Sequence, residues 1–405
     1  MTAQLDRLKG LGVTILWLMP IHPIGKEKRK GPVGSPYAVR DYYAINPDYG
    51  KPADLKRLVG EAHKRGMKVI IDIVANHTAW DSVMMKYPDF YVRDTKGAIA
   101  SPHDWSDVAE LNYGNAKLRR YMIDMLKFWV TEFDLDGFRC DVAAEVPTDF
   151  WEEARVELDR VKPDLFMLAE AAVPELLVRA FDLDYSWPLA RTLNGVVAGR
   201  LPASAIRATW TADAAVYPRG ALRMRYTDNH DEQRAIARFG APAALAAAAL
   251  MFTLDGIPMI YNGQEVGDST ESGDPALFYR MPIFWPIEKR RPEFGPFYRG
   301  VIALRRAHPA LVDGQLDWLA NADESRIVTF ARMDAAEEVV VAVNLSNRPF
   351  EGKVDAPAGG GWTEVFPGSA STLPDVSLGA WEYRVFRRPR AASSSAGMLK
   401  FCGVS

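Results

Sequence analysis

Along the first three-quarters of the chain, helical patterns alternate with short apolar runs. Leu5, Leu8 and Leu11 recur at helical spacing, and the Gly10-Leu11-Gly12 signal ends that helix. Residues 13–19 (VTILWLM) follow as a strand, a helix spans 53–65, and 68–74 (KVIIDIV) is a second continuous apolar strand. A stretch from 78 to 115, rich in Pro, Gly, Asp and aromatics, interrupts the rhythm. Beyond it come a helix at 116–132, strands at 137–142 and 165–169 separated by a helix at 148–161, and strands near 181–185, 222–227 and 257–261. The Ala-rich run 241–254 predicts a buried helix. After about residue 320 the period changes: 326–332, 338–343, 362–366 and 381–386 are short β-branched or aromatic strands between Gly, Pro and Asn turns.

Continuous apolar strands alternating with helices predict a parallel sheet covered on both faces. Each strand ends in polar groups: 72–77, Arg139 and Asp141, Glu170, 229–231, then Gln264 and Glu265. An open doubly wound sheet gathers its ligand at one switch point, whereas a (β/α)8 TIM barrel places its site at the ends of many strands. The predicted fold class is therefore α/β, a TIM barrel with a loop-rich insert and a C-terminal antiparallel β-sandwich domain. The predicted plan assigns 1–77 and 116–320 to the barrel, 78–115 to the insert, 321–388 to the β domain and 389–405 to a disordered tail. The chain opens inside a helix, so the barrel is expected to lack its first strand. Two open parallel edges are costly, and the expectation is a chain of low stability or activity unless that strand is restored.

Composition changes this picture little. The 405 residues are 48% hydrophobic and 25% charged with net charge −3, both signs interspersed, so no basic stripe points to nucleic acid or a membrane surface. No run reaches the roughly 18 apolar residues of a membrane span. No signal-peptide pattern opens the chain, and localisation and oligomeric state stay open. Cys140 and Cys402 are the only two cysteines, and neither their spacing nor that of the six histidines suggests a disulfide or zinc. The 11 Trp, 15 Tyr and 18 Phe suit sugar-stacking platforms as well as ordinary packing.

Strand ends carry the candidate chemistry. In GFRCD, Arg139 and Asp141 lie two apart and share a strand face, so the cation favours and aims an ionised carboxylate, as a nucleophile requires. Alone, that pair also fits a structural ion pair. Glu170 closes the apolar strand LFMLAE; apolar surroundings would raise its pKa and let it hold a proton for a leaving group. His230 and Asp231 suit vicinal sugar hydroxyls, Asn76 is a candidate Ca²⁺ ligand and His77 a hydroxyl donor. Neither an HExxH pair nor a Gly-x-Ser-x-Gly elbow occurs.

The ordered set DIVANH, GFRCD, a strand-end Glu and NHD resembles the four motif regions of the α-amylase family, glycoside hydrolase family 13. GVTILWLMP resembles its second barrel strand, GIPMIYNGQE its eighth, and SPYAVRDYYAINPDYG the loop bearing a sugar-stacking Tyr. The resemblance implies a retaining hydrolase of α-1,4-glucosidic bonds in starch or maltooligosaccharides. Asp141 would be the nucleophile, Glu170 the acid/base and Asp231 the transition-state stabiliser. Arg139 would orient Asp141, His77 and His230 would bind hydroxyls, and Tyr37 would stack on the sugar. Retention implies carboxyls about 5–5.5 Å apart. A Ca²⁺ ion held by Asn76 and Glu110 is the one candidate cofactor, with no organic cofactor, and an α-glucan oligosaccharide or polysaccharide is the expected partner. The sequence departs from typical members at Ala144 and Glu145, where Lys-His is usual, a pattern nearer to members acting on smaller maltooligosaccharides and cyclodextrins. A transglycosidase using the same triad, and a non-catalytic binding subunit, are the alternatives.

Overall fold

The computed structural model describes residues 1–367 and 372–390. Strands β1 (Ile15–Leu18) and β2 (Lys68–Val74) pair in parallel, and a short antiparallel pair, β3 (His77–Ala79) with β4 (Val108–Glu110), stands beyond the end of β2. The stretch expected as loop thus contains a small sheet of its own. Strands β5 (Gly137–Asp141), β6 (Phe166–Ala169), β7 (Leu183–Tyr185), β8 (Leu222–Arg225) and β9 (Ile257–Pro258) complete one parallel sheet of seven, in the order β1-β2-β5-β6-β7-β8-β9. Helices Pro52–Lys64, Ala116–Phe133, Thr148–Asp159 and Ala241–Thr253 cover it where the apolar spacing predicts them. Among the described residues no ladder joins β9 to β1, so the curled sheet carries two edges. Two helices, Trp187–Val197 and Ser204–Val216, escape the pattern reading. The second buries only Ile206 and so carries no apolar stripe.

The C-terminal strands β10 (Gln315–Trp318), β11 (Ile327–Met333), β12 (Glu337–Asn344), β13 (Phe350–Lys353), β14 (Thr363–Phe366), β15 (Asp375–Leu378) and β16 (Tyr383–Pro389) form an antiparallel sheet ordered β10-β11-β12-β16-β14 facing the pair β13–β15. This antiparallel sheet already begins at Gln315, and Arg390 N–H still bonds to Ala336 O (2.9 Å). The rest of the predicted tail, from 391, and Cys402 lie outside the described residues. β12 explains its own continuous apolar run. Val339, Val341 and Val343 face the barrel helices, while Val340 and Ala342 face β13 and β15, so both faces of the strand are buried.

Helix Ala241–Thr253 lies in the seam, with Ala246, Ala247 and Leu250 against the β domain and Ala248, Ala249 and Phe252 against helix Phe294–Ala307. Small side chains on every side let these layers approach. Two buried arginines close its C-terminal end: Arg305 donates to the carbonyls of Phe252 (3.0 Å) and Leu254 (2.9 Å), and Arg332 to those of Thr253 (3.2 Å), Leu311 (3.0 Å) and Gly314 (2.9 Å). Cations suit the negative end of a helix. No helix among the described residues is long and apolar enough to cross a membrane.

Candidate active site

The polar strand ends converge because of local backbone constraints. At Gly137 the φ is +151°, and a Cβ there would come within 1.8 Å of Phe166 O, so only glycine lets β5 close on β6. Beyond it, Arg139 and Asp141 point inward and Cys140 outward into the core, where burial pushes its thiol pKa up. At the end of β2, Tyr42 donates its hydroxyl toward the carbonyls of Val74 (2.6 Å) and His77 (2.7 Å), and Tyr113 to Ala75 O (2.7 Å). These buried phenols hold the turn that presents Asn76 and His77.

Arg139 is the hub. Its fully buried guanidinium places Nη1 2.9 and 3.0 Å from the two oxygens of Asp72 and 2.8 Å from Asp141 Oδ1, and Nη2 2.8 Å from Glu170 Oε1. Nε reaches the Tyr185 hydroxyl at 3.4 Å. Three carboxylates on three adjacent strands thus share one cation, with Asp231 close enough to feel them. The negative charge outweighs the positive, and the site answers by taking up protons. Burial, then Glu170, pushes Asp141 well above the usual carboxylate range; burial against Arg139 leaves Asp72 at about 6; burial, then Glu170, raises Asp231 to about 7.

The predicted sugar-binding residues surround this cluster. His230 Nε2 lies 2.6 Å from the Tyr37 hydroxyl and 3.4 Å from Asp231 Oδ1. Tyr37 stacks on the His230 ring (centroids 5.6 Å apart, planes at 17°) and donates its hydroxyl toward Asp72 Oδ2 at 3.2 Å. One face of Tyr37 is therefore taken by His230, while the ring remains half-buried. His77 meets Trp105 edge-on at 5.5 Å. Both histidines are uncharged at neutral pH, since burial drops His77 to about 3, and burial with Arg139 does the same to His230. Neutral imidazoles both donate and accept, which suits hydroxyl groups. Asn229 shapes the loop, its Oδ1 accepting from the N–H of Asp231 (3.0 Å) and of Glu232 (2.9 Å).

The surroundings of Glu170 differ from the sequence reading. They are polar: Arg139 meets Oε1, and Val142 N–H donates to Oε2 at 2.8 Å. In the strand that precedes Glu170, Met167 and Ala169 pack outward and Leu168 packs inward against Tyr185 and Met224, while the space beside Glu170 itself is taken by Arg139. Val142 itself adopts φ +36°, ψ +49°, a left-handed conformation that costs a β-branched residue about 1–3 kcal/mol. Sequence reasoning noted Asp72 as a strand-end carboxylate without giving it a role, and passed over Trp17 and Tyr185. Trp17 lies 5.2 Å from the Arg139 guanidinium and edge-on to His230. Two-residue alternation along β1, β2 and β7 places all three inward and was the signal available for them; nothing in the sequence marks Val142.

The two residues expected to hold calcium lie at the end of β2 and in β4. Asn76 Nδ2 lies 3.4 Å from His77 Nδ1, and Asn76 O accepts from Leu111 N–H. Glu110 pairs with His77 across the β3–β4 ladder, and among the described residues no group of three or more His, Cys, Asp or Glu side chains is placed to hold a metal. Ca²⁺ takes six to eight oxygens. Asn76 and Glu110 would supply only part of that set, and no chemical step is routed through a metal.

The chain resembles proteins of known kind over most of its length. It is 29% identical to a cyclomaltodextrinase of Geobacillus thermopakistaniensis across 91% of this chain and 66% of that protein, and 30% identical to an intracellular maltogenic amylase of Bacillus subtilis across 85% and 61%. The chain thus spans less than two-thirds of these curated relatives. The crystal structure of a noncanonic maltogenic alpha-amylase from Thermotoga neapolitana superposes with a TM-score of 0.86 at 31% identity, covering 96% of this chain and 94% of that one. The family described as alpha amylase, catalytic domain, matches residues 1–109 and 103–288. With four motif segments gathered around Arg139 at the strand ends of its parallel sheet, the chain belongs to the alpha-amylase family.

Proposed function

We propose that the protein is a retaining glycoside hydrolase that cleaves α-1,4-glucosidic bonds in starch or maltooligosaccharides by double displacement. The observation that carries this reading is the single guanidinium of Arg139 in contact with both Asp141 and Glu170 at the ends of neighbouring strands. Names of the relatives, cyclomaltodextrinase and maltogenic amylase, point the same way and extend the candidate substrates to cyclodextrins.

In the proposed reaction Asp141 attacks the anomeric carbon from its ionised form, which burial and Glu170 disfavour and the Arg139 contact supports. Glu170 delivers a proton to the glycosidic oxygen, so the leaving sugar departs as an alcohol and a glycosyl ester remains on Asp141. Glu170, now a carboxylate, takes a proton from water as that water attacks the same carbon from the opposite face, which frees Asp141 and restores the α configuration. His77 and His230 bind hydroxyls of the reacting sugar, Tyr37 presents its ring to it, and Asp231 stabilises the distorted, positively charged transition state. Carboxylates that are ionised beside the reacting sugar suit an oxocarbenium-like transition state.

Incubation with starch, maltooligosaccharides and cyclodextrin, followed by proton NMR of the first-formed anomer, tests the proposal. Release of α-anomeric maltooligosaccharides, lost in Asp141→Asn, is expected. First-formed β anomer, or undiminished turnover by Asp141→Asn, would overturn it. Longer glucans formed with no gain in free reducing ends would instead assign transglycosylation.

A further inference from the structure

We propose that the backbone N–H of Val142 is a positioning group for the reaction, holding the Glu170 carboxyl in the orientation from which it exchanges protons with substrate and water. The inference rests on Glu170 as acid/base. Each oxygen of that carboxyl meets one donor from β5 or its end: Oε1 meets Arg139 Nη2 at 2.8 Å, and Oε2 accepts from Val142 N–H at 2.8 Å. Two fixed points on a neighbouring strand define the carboxyl plane, which a single contact cannot do. Neighbouring backbone bonds make the frame rigid, since Glu170 N–H donates to Cys140 O (2.9 Å) and Ala143 N–H to Glu170 O (3.1 Å).

The conformation of Val142 is what brings these donors together. Extended backbone at this position would carry the chain onward past the barrel end. Its left-handed turn folds the chain back, so that the N–H groups of Val142 and Ala143 both reach residue 170, one at the side chain and one at the carbonyl. Valine is poorly suited to this region of backbone space and glycine well suited. Strain that persists beside reacting groups is held there by the surrounding structure.

The contact also has a protonation sense. A donor N–H favours the ionised carboxylate, the form Glu170 must reach after proton delivery. The other charged or titratable groups facing it are Arg139 and Asp141 on β5, Asp72 on β2, Tyr185 on β7, Tyr226 just past β8 and Asp231 on the loop beyond.

The test replaces Val142 by its α-hydroxy-acid counterpart, which deletes this N–H and keeps the side chain. A chromogenic maltooligoside serves as substrate, with kcat and KM measured from pH 4 to 9. We expect kcat to fall about tenfold with KM little changed, and the pH limb assigned to Glu170 to move up by about one unit. Val142→Gly keeps the N–H but frees the turn; it should lower kcat by less and leave that limb in place. A wild-type kcat and pH profile in the ester variant would overturn the inference, as would a limb shift in Val142→Gly equal to that of the ester. Absence of turnover in the wild-type protein would reject the hydrolase reading instead.

Discussion

Removing the hub exposes how much the site depends on it. Arg139→Met keeps the length of the side chain and deletes a cation that meets Asp72, Asp141 and Glu170 at 2.8–3.0 Å with no solvent exposure. At an effective dielectric of about 20, unit charges about 4 Å apart interact by about 4 kcal/mol, and three such attractions are lost together. Recovery of the guanidinium's hydration offsets much of this, and breaking a buried pair by removing one partner costs about 3–5 kcal/mol. At about 2 °C per kcal/mol, the low end for large domains, Tm should fall by roughly 6–10 °C at pH 7.5. The loss must depend on pH. Asp141 and Asp72 already have raised folded-state pKa values, so the folded protein holds protons that the unfolded chain has released; stability therefore falls as pH rises from about 4 through the folded values. Without Arg139 those values rise further, and the deficit grows between pH 5 and 8 and shrinks near pH 4. Calorimetry at four pH values, with kcat/KM in parallel, reads both effects, and kcat/KM should drop about 10²- to 10³-fold. A Tm within 2 °C of wild type at pH 7.5, or a deficit independent of pH, would refute the assignment of Arg139 as the shared counter-ion.

Other perturbations separate fold from site. His22 is fully buried, donates its Nδ1–H to Ala44 O (3.2 Å), packs on Tyr42 and Trp129, and is pushed down to about 4 by burial. Neutral when folded and charged when unfolded, it lowers stability as pH falls from about 6.5 to about 4, by up to about 1.4 kcal/mol per pH unit. His22→Phe should remove that slope in urea titrations, and parallel pH profiles for the two proteins would contradict it. Arg332→Met strips hydrogen bonds from carbonyls at the barrel–β-domain seam and should cost about 1–3 kcal/mol with kcat at 25 °C unchanged; an unaltered Tm would show that the seam does not need it. Chelation with EDTA should leave Tm within about 1 °C, because a metal stabilises only in proportion to its binding. A larger drop reversed by Ca²⁺ would establish a calcium site despite the sparse donors around Asn76 and Glu110.

The period of apolar residues was enough to determine that this chain builds a parallel α/β sheet followed by an antiparallel β domain, because continuous runs such as KVIIDIV and EVVVAV are tolerated only where both faces of a strand are buried. Four short motifs in order were enough to nominate Asp141, Glu170, Asp231, Arg139, His77 and His230, and the loop SPYAVRDYYAINPDYG added Tyr37. Helix Ser204–Val216 was not legible, since a helix that buries one side chain leaves no stripe to read. Neither was the polar setting of Glu170, which depends on where strands 30 residues apart in sequence meet. Strand alternation says which way a side chain points, and only the assembled sheet decides what it meets there. Arg139 became the counter-ion of three carboxylates, and Val142 the donor to one of them, through inter-strand register and one left-handed turn, both properties of tertiary packing.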